Sequence, residues 1–100
     1  MKDCVDTVII AEIWSIIEER AKNPSQESYT SRLLTDEKGI DKVLEKVGEE
    51  SIEFIIAAKN GLNDRTIEEA SDLIFHLLVA LRASDIDLSD VMHELERRRK

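Results

Sequence analysis

The chain has 100 residues, 42% of them hydrophobic, and carries 14 basic against 22 acidic side chains for a formal charge of −8. That length makes a single domain over residues 1–100 with a modest core, and the acidic balance opposes any broad grip on a polyanion, so nucleic acid is not an expected partner. Four aromatics, three glycines and one proline leave few residues that favour sheets, so the expected fold is all-α, four or five helices in a bundle.

Cys4 is the single cysteine, which removes an intrachain disulfide or a cysteine-based zinc site and suits a reducing cytoplasm. The first helix is expected from about Asp6 or Thr7 to about Ala21, ahead of Asn23-Pro24, with Val8, Ile9, Ile13, Ile16 and Ile17 as its packing residues. Its apolar stretch contains Glu12 and lacks a basic leader or cleavage site, so it reads as neither signal peptide nor membrane span. After a polar linker, Ser28 to Leu34 predicts a short helix or turn entered from a polar cap and closed by Gly39.

The third helix is expected from about Ile40 to Asn60, with Gly61 as its stop. At 100° per residue, Ile40, Val43, Leu44, Val47, Ser51, Phe54, Ile55 and Ala58 share one sector. Lys42, Lys46, Glu49, Glu53, Ala57 and Asn60 share its neighbour, and Glu50 stands at the border. The fourth helix, from near Asp64 to Thr66 to about Ala83, contains the run Leu73 to Leu81, apolar almost all round and therefore expected to be buried on most sides. A last helix, capped by Asp87 or Ser89, turns Val91, Met92 and Leu95 inward. Its end, Arg97 to Lys100, complements the helix C-terminus, and His93 receives no role.

Helix three presents Glu49-Glu50-x-x-Glu53 and helix four presents Glu69-x-x-Asp72. The short connection makes these helices antiparallel neighbours, so two acid pairs, each one turn apart, face each other as an oxygen cage. Mg²⁺ suits such hard ligands and bridges protein acids to phosphates, and Mn²⁺ can substitute. Two ionised acids about 6 Å apart repel by roughly 3 kcal/mol at an effective dielectric of 20, a penalty that a cation removes. A solvated acidic face remains the simpler alternative for any one pair, and Thr66-x-x-Glu69 also matches a capping box. Asp72 resists that explanation, because helical projection sets it beside His76 and Val79, away from solvent. Lys46 is placed to meet a phosphate oxygen, its alternative being an ion pair with Glu50. Lys42, Arg32 and Asn60 are lesser substrate-binding candidates, and His76 is expected to hold the Asp72 carboxylate by a hydrogen bond.

KVGEESIEFIIAAKN, Lys46 to Asn60, and EEASDLIFHLLVAL, Glu68 to Leu81, resemble the phosphoribosyl-ATP pyrophosphohydrolase family. The entry Ser28-Tyr29-Thr30 and the closing segment Leu88 to Arg98 continue the likeness, which runs from about Glu12 to Arg99. The wider group of all-α nucleotide pyrophosphohydrolases, including MazG-like enzymes, shares the acid pattern. The resemblance implies Mg²⁺-dependent hydrolysis of phosphoribosyl-ATP to phosphoribosyl-AMP and pyrophosphate, the second step of histidine biosynthesis, in the cytoplasm. It implies metal ligands at Glu50, Glu53, Glu69 and Asp72, and a catalytic role for Glu49 in orienting or deprotonating the attacking water or completing the metal sphere. It further implies a helical homodimer and a stand-alone form without a fused cyclohydrolase domain. Two other readings fit the acid spacing: a house-cleaning pyrophosphatase for another (deoxy)nucleoside triphosphate, and a non-catalytic helical dimerisation module. A di-iron bundle is disfavoured, because it requires Glu-x-x-His pairs and His76 lies four residues from Asp72.

Overall fold

The computed structural model describes residues 5–99, so Cys4 and the terminal Lys100 of the basic run lie outside the described residues. Among the described residues every regular element is helical: α1 Val8–Lys22, α2 Tyr29–Leu34, α3 Ile40–Lys59, α4 Asn63–Ala83 and α5 Leu88–Arg97.

The helix ends follow local chemistry. Asp6 Oδ1 accepts the Val8 amide ahead of α1, Ser28 Oγ accepts the Ser31 amide at 3.1 Å to start α2, and Asp87 Oδ1 accepts the Ser89 amide at 2.9 Å to start α5. At the end of α3 the Gly61 amide donates to the Ala58 carbonyl and the Leu62 amide to the Ala57 carbonyl, with Gly61 at φ 67°. This six-to-one and five-to-two pairing needs a left-handed residue, which glycine supplies without steric cost. α4 closes with the same pairing, Asp85 to Arg82 and Ile86 to Leu81, with Asp85 in the left-handed position at φ 58°. The start of α4 departs from expectation. Thr66 lies inside the helix with Oγ1 bonded to the Leu62 carbonyl, so the Thr66–Glu69 capping box does not form.

α3 and α4 form a long antiparallel hairpin, with α1 and α2 packed across it. The core joins Ile17 of α1, Leu33 of α2, Val43 of α3 and Leu78, Val79 and Ala80 of α4, with Leu88 closing one end. An ion pair from Arg82 Nε to Glu18 Oε1, 2.9 Å, ties α1 to α4. On α1 the inward residues are Ile10, Ile13, Trp14 and Ile17, while Val8, Ile9 and Ile16, expected to pack, are exposed. On α3 the buried positions are Val43, Glu50 and Ala57, and Leu44, Ile55 and Ala58 face out. The helix is therefore rotated toward its polar sector relative to the sequence expectation, because α4 docks on the border that carries Glu50. The Leu73 to Leu81 run is not enclosed either, since Ile74 and Leu77 remain exposed. Met92 and Leu95 of α5, expected to point inward, are also exposed, and with Leu77 they line an apolar groove between α1, α4 and α5. The reason is common to all these residues: one chain has too few elements to cover every apolar face of five helices. Among the described residues, no helix is long and apolar enough to cross a membrane.

Candidate metal centre

Because α3 and α4 run antiparallel from the Gly61 turn, residues equidistant from it stand at the same level. Glu53 is thus level with Glu69, Glu50 with Asp72, and Lys46 with His76. The hairpin brings Glu50, Glu69 and Asp72 together, each offering a carboxylate oxygen, with these atoms all within 4.8 Å of one another. Glu50 and Glu69 are buried, at 7% and 5% exposure. Asp72 is exposed, which corrects its expected placement away from solvent: the α3–α4 cleft opens on the side of the helix where Asp72 sits.

Glu69 Oε2 accepts from Arg65 Nη2 at 3.0 Å, while Oε1 is buried without a hydrogen-bond partner. A buried anionic oxygen left without a donor is costly, and a hard cation at that place would satisfy it. Arg65 had no sequence-based role. Desolvation, a hydrogen bond to Glu53, and the charges of Glu53 and Asp72 push the Glu50 carboxyl up from its ordinary 4.5 to about 7, against the opposing charge of Lys46. Carboxylates crowded and desolvated to this degree without a cation are the electrostatic signature of a site built to receive one. The residues therefore fit a divalent metal. Glu53 is exposed and lies outside the group of three oxygens, although its carboxyl is near enough to that of Glu50 to help raise the Glu50 pKa.

Lys46 Nζ is 3.3 Å from Glu49 Oε1, one turn along α3, so its ion pair is with Glu49 rather than with Glu50. Burial opposes the charge on Lys46, but the bond to Glu49 and the nearby Tyr29, Glu49 and Glu50 outweigh it and raise its pKa. Glu49 itself is half exposed. Of the lesser candidates, Lys42 pairs with Glu45 at 3.6 Å, and Arg32 donates to the Gln26 carbonyl at 2.8 Å with its guanidinium 6.0 Å from the Tyr29 ring centre. Asn60 is the α3 C-cap, ten residues beyond Glu50 and so about 15 Å along the helix axis.

His76 does not reach the Asp72 carboxylate. Its Nδ1 lies 2.7 Å from the Asp72 backbone carbonyl oxygen and its Nε2 lies 2.8 Å from the Tyr29 hydroxyl, because an imidazole one turn along a helix naturally meets the carbonyl of residue i−4. Tyr29 is the site residue that side-chain reasoning missed; its only signal was its place in the Ser28-Tyr29-Thr30 entry. Burial raises the Tyr29 pKa, with Lys46 opposing and Glu50, Glu49 and Asp72 adding to the rise.

Comparison with known proteins gives a consistent result. The family described as phosphoribosyl-ATP pyrophosphohydrolase matches residues 10–99. The chain is 68% identical over 99 residues to the phosphoribosyl-ATP pyrophosphatase of Methanoregula boonei, covering 99% of this chain and 95% of that protein. It is 60% identical over 95 residues to that of Methanoculleus marisnigri, covering 95% and 98%. It is also 49% identical over 92 residues to a histidine biosynthesis bifunctional protein of Caldanaerobacter subterraneus, covering 92% of this chain and 44% of that one.

Proposed function

The chain belongs to the phosphoribosyl-ATP pyrophosphohydrolase family, and we infer from this membership and from the α3–α4 cleft how its residues divide the work. It is a hydrolase that converts phosphoribosyl-ATP to phosphoribosyl-AMP and pyrophosphate, a step of histidine biosynthesis. The observation that carries the site assignment is the meeting of Glu50, Glu69 and Asp72 oxygens within 4.8 Å, with Glu69 Oε1 buried and unpartnered.

In this reading Glu50, Glu69 and Asp72 hold Mg²⁺, or Mn²⁺ in its place, with Glu53 beside Glu50 completing the acidic wall. A divalent ion held there would supply charge neutralisation for the triphosphate and make its phosphorus more electrophilic. Lys46 supplies a second cation at the mouth of the cleft, where its ammonium can leave Glu49 for a phosphate oxygen. Glu49, half exposed and released from Lys46, orients an attacking water and takes its proton. Water oxygen bonds to phosphorus as the α–β anhydride bond breaks, and pyrophosphate departs with the bonding pair. Lys42 and Arg32 rank behind Lys46 as substrate contacts because Lys46 is the cation whose charge reaches Glu50, while Lys42 turns to Glu45 and Arg32 to the Gln26 carbonyl, and Asp72 is held by His76 through its backbone.

The same reading makes residues 1–100 one catalytic domain that works in the cytoplasm as a homodimer. Supporting the dimer, Leu44, Ile55, Leu77 and Leu95 are exposed, and the radius of gyration is 14.8 Å where a compact chain of this length has about 13 Å. The deciding experiment is phosphate-product analysis with synthesised phosphoribosyl-ATP and Mg²⁺, alongside dUTP, dCTP and ordinary nucleoside triphosphates. Pyrophosphate released preferentially from phosphoribosyl-ATP is the expected result. A strong preference for a deoxynucleotide would overturn the substrate assignment.

A further inference from the structure

The aromatic corner beside the acids is wired to them through the backbone. The Asp72 carbonyl oxygen can only accept, so His76 Nδ1, 2.7 Å away, carries the proton; in the neutral ring Nε2 then accepts from the Tyr29 hydroxyl at 2.8 Å. The hydrogen bonds therefore run one way, from the α2 hydroxyl to the α4 imidazole to the α4 carbonyl. His76 is 6% exposed, with the Phe75 and Tyr29 rings edge-on to it at centroid distances of 5.1 and 5.7 Å, so its ring has little room to turn. The carbonyl it grips already stands in the helical ladder as acceptor for the His76 amide. The imidazole bond is thus a second clamp on the very turn that presents the Asp72 carboxylate. Without Tyr29 the imidazole would have one anchor instead of two.

We propose that Tyr29 is a positioning residue for the reaction: its hydroxyl locks His76, and His76 fixes the turn of α4 that brings the Asp72 carboxylate to Glu50 and Glu69. Tyr29 acts through His76 and need not touch substrate. The role rests on the carboxylates being a metal site, so the probe is Mn²⁺ alone, titrated into the full chain without substrate and followed by electron paramagnetic resonance. Wild-type binding is the reference, and its absence would overturn the metal site and the positioning role together. Given that binding, Tyr29→Phe, which deletes only the hydroxyl, is expected to weaken Mn²⁺ about tenfold, the lower end for losing an outer partner of a metal ligand, while the metal-free melting temperature hardly moves. His76→Asn keeps a donor near the Nδ1 position but loses Nε2, and is expected to show the same loss. The double variant is then no weaker than the weaker single one, because both substitutions cut one chain of bonds. Wild-type affinity retained in both single variants, or losses that add in the double, would overturn the positioning role and leave the metal site standing.

Discussion

The cleft between α3 and α4 and the outer faces of the same two helices break the usual rule of burial in opposite senses. Inside the cleft Glu50 and Glu69 are nearly closed off from water, while outside it Ile55 is 58% and Ile67 66% exposed. Ordinary folding would reverse both, since desolvating a carboxylate costs free energy and covering an aliphatic side chain recovers it. The function proposed above supplies a missing component for each inversion: a cation among the acids, and a second copy of the chain over the aliphatics. On that proposal the isolated chain is less stable than its metal-bound dimer on both counts, but for unrelated reasons, one electrostatic and one hydrophobic.

That difference can be tested by disturbing one region at a time. The largest effect is expected in the cleft, where Asp72→Asn should lower turnover by more than about 10²-fold, beyond what losing an outer-shell partner does, with helicity unchanged because the side chain is exposed. Steady-state kinetics and circular dichroism measure the two halves of that statement, and retained turnover would remove Asp72 from the site. Next, the double substitution Leu77→Glu and Leu95→Glu places charges in the apolar groove and should yield monomers by sedimentation, with a melting temperature that is lower and no longer dependent on protein concentration. If the wild-type chain already sediments as a monomer, the outer face needs another explanation.

A smaller effect separates the two regions by pH. Folding raises the Glu50 pKa from 4.5 to about 7, so between those values the folded state holds a proton that the unfolded chain has lost. The metal-free protein should therefore lose stability as pH rises through that window, and saturating Mg²⁺ should oppose the loss at its upper end. Glu50→Gln is expected to flatten the metal-free profile and to raise the melting temperature at pH 8; an unchanged slope would show that the cleft acids are not strained. The smallest effect lies outside both regions. Ser28→Ala removes the α2 cap and should cost about 1 kcal/mol by denaturant titration, equally with and without Mg²⁺.

The elements themselves were legible in the chain. The boundaries of α3 and α5, the Ser28 cap, the Asp87 cap and the Gly61 stop all follow from residues whose backbone preferences act locally. Asp85 was not legible as a stop, since an aspartate in the left-handed position leaves no mark as plain as glycine. The pairing of the two acid segments was legible too, because a short turn between two long helices allows only an antiparallel arrangement. What failed was rotation. α3 carries apolar side chains on more than one side, Leu44, Ile52, Ile55 and Ile56 as well as Val43, Val47 and Phe54, and periodicity cannot say which stripe faces α4 and which faces outward.

The amino-acid order alone thus determined an all-helical chain, most of its helix ends, which acids share a turn, and, through Lys46 to Asn60 and Glu68 to Leu81, the family. Tertiary packing decided that Glu50 and Glu69 are buried while Asp72 stays open, that Lys46 turns to Glu49, and that His76 grips a backbone carbonyl with Tyr29 behind it. Local spacing sets which residues share a helix face, but the angle at which two helices meet is set by the whole interface between them. Charge burial and long-range hydrogen bonds depend on that angle, and no short stretch of sequence contains it.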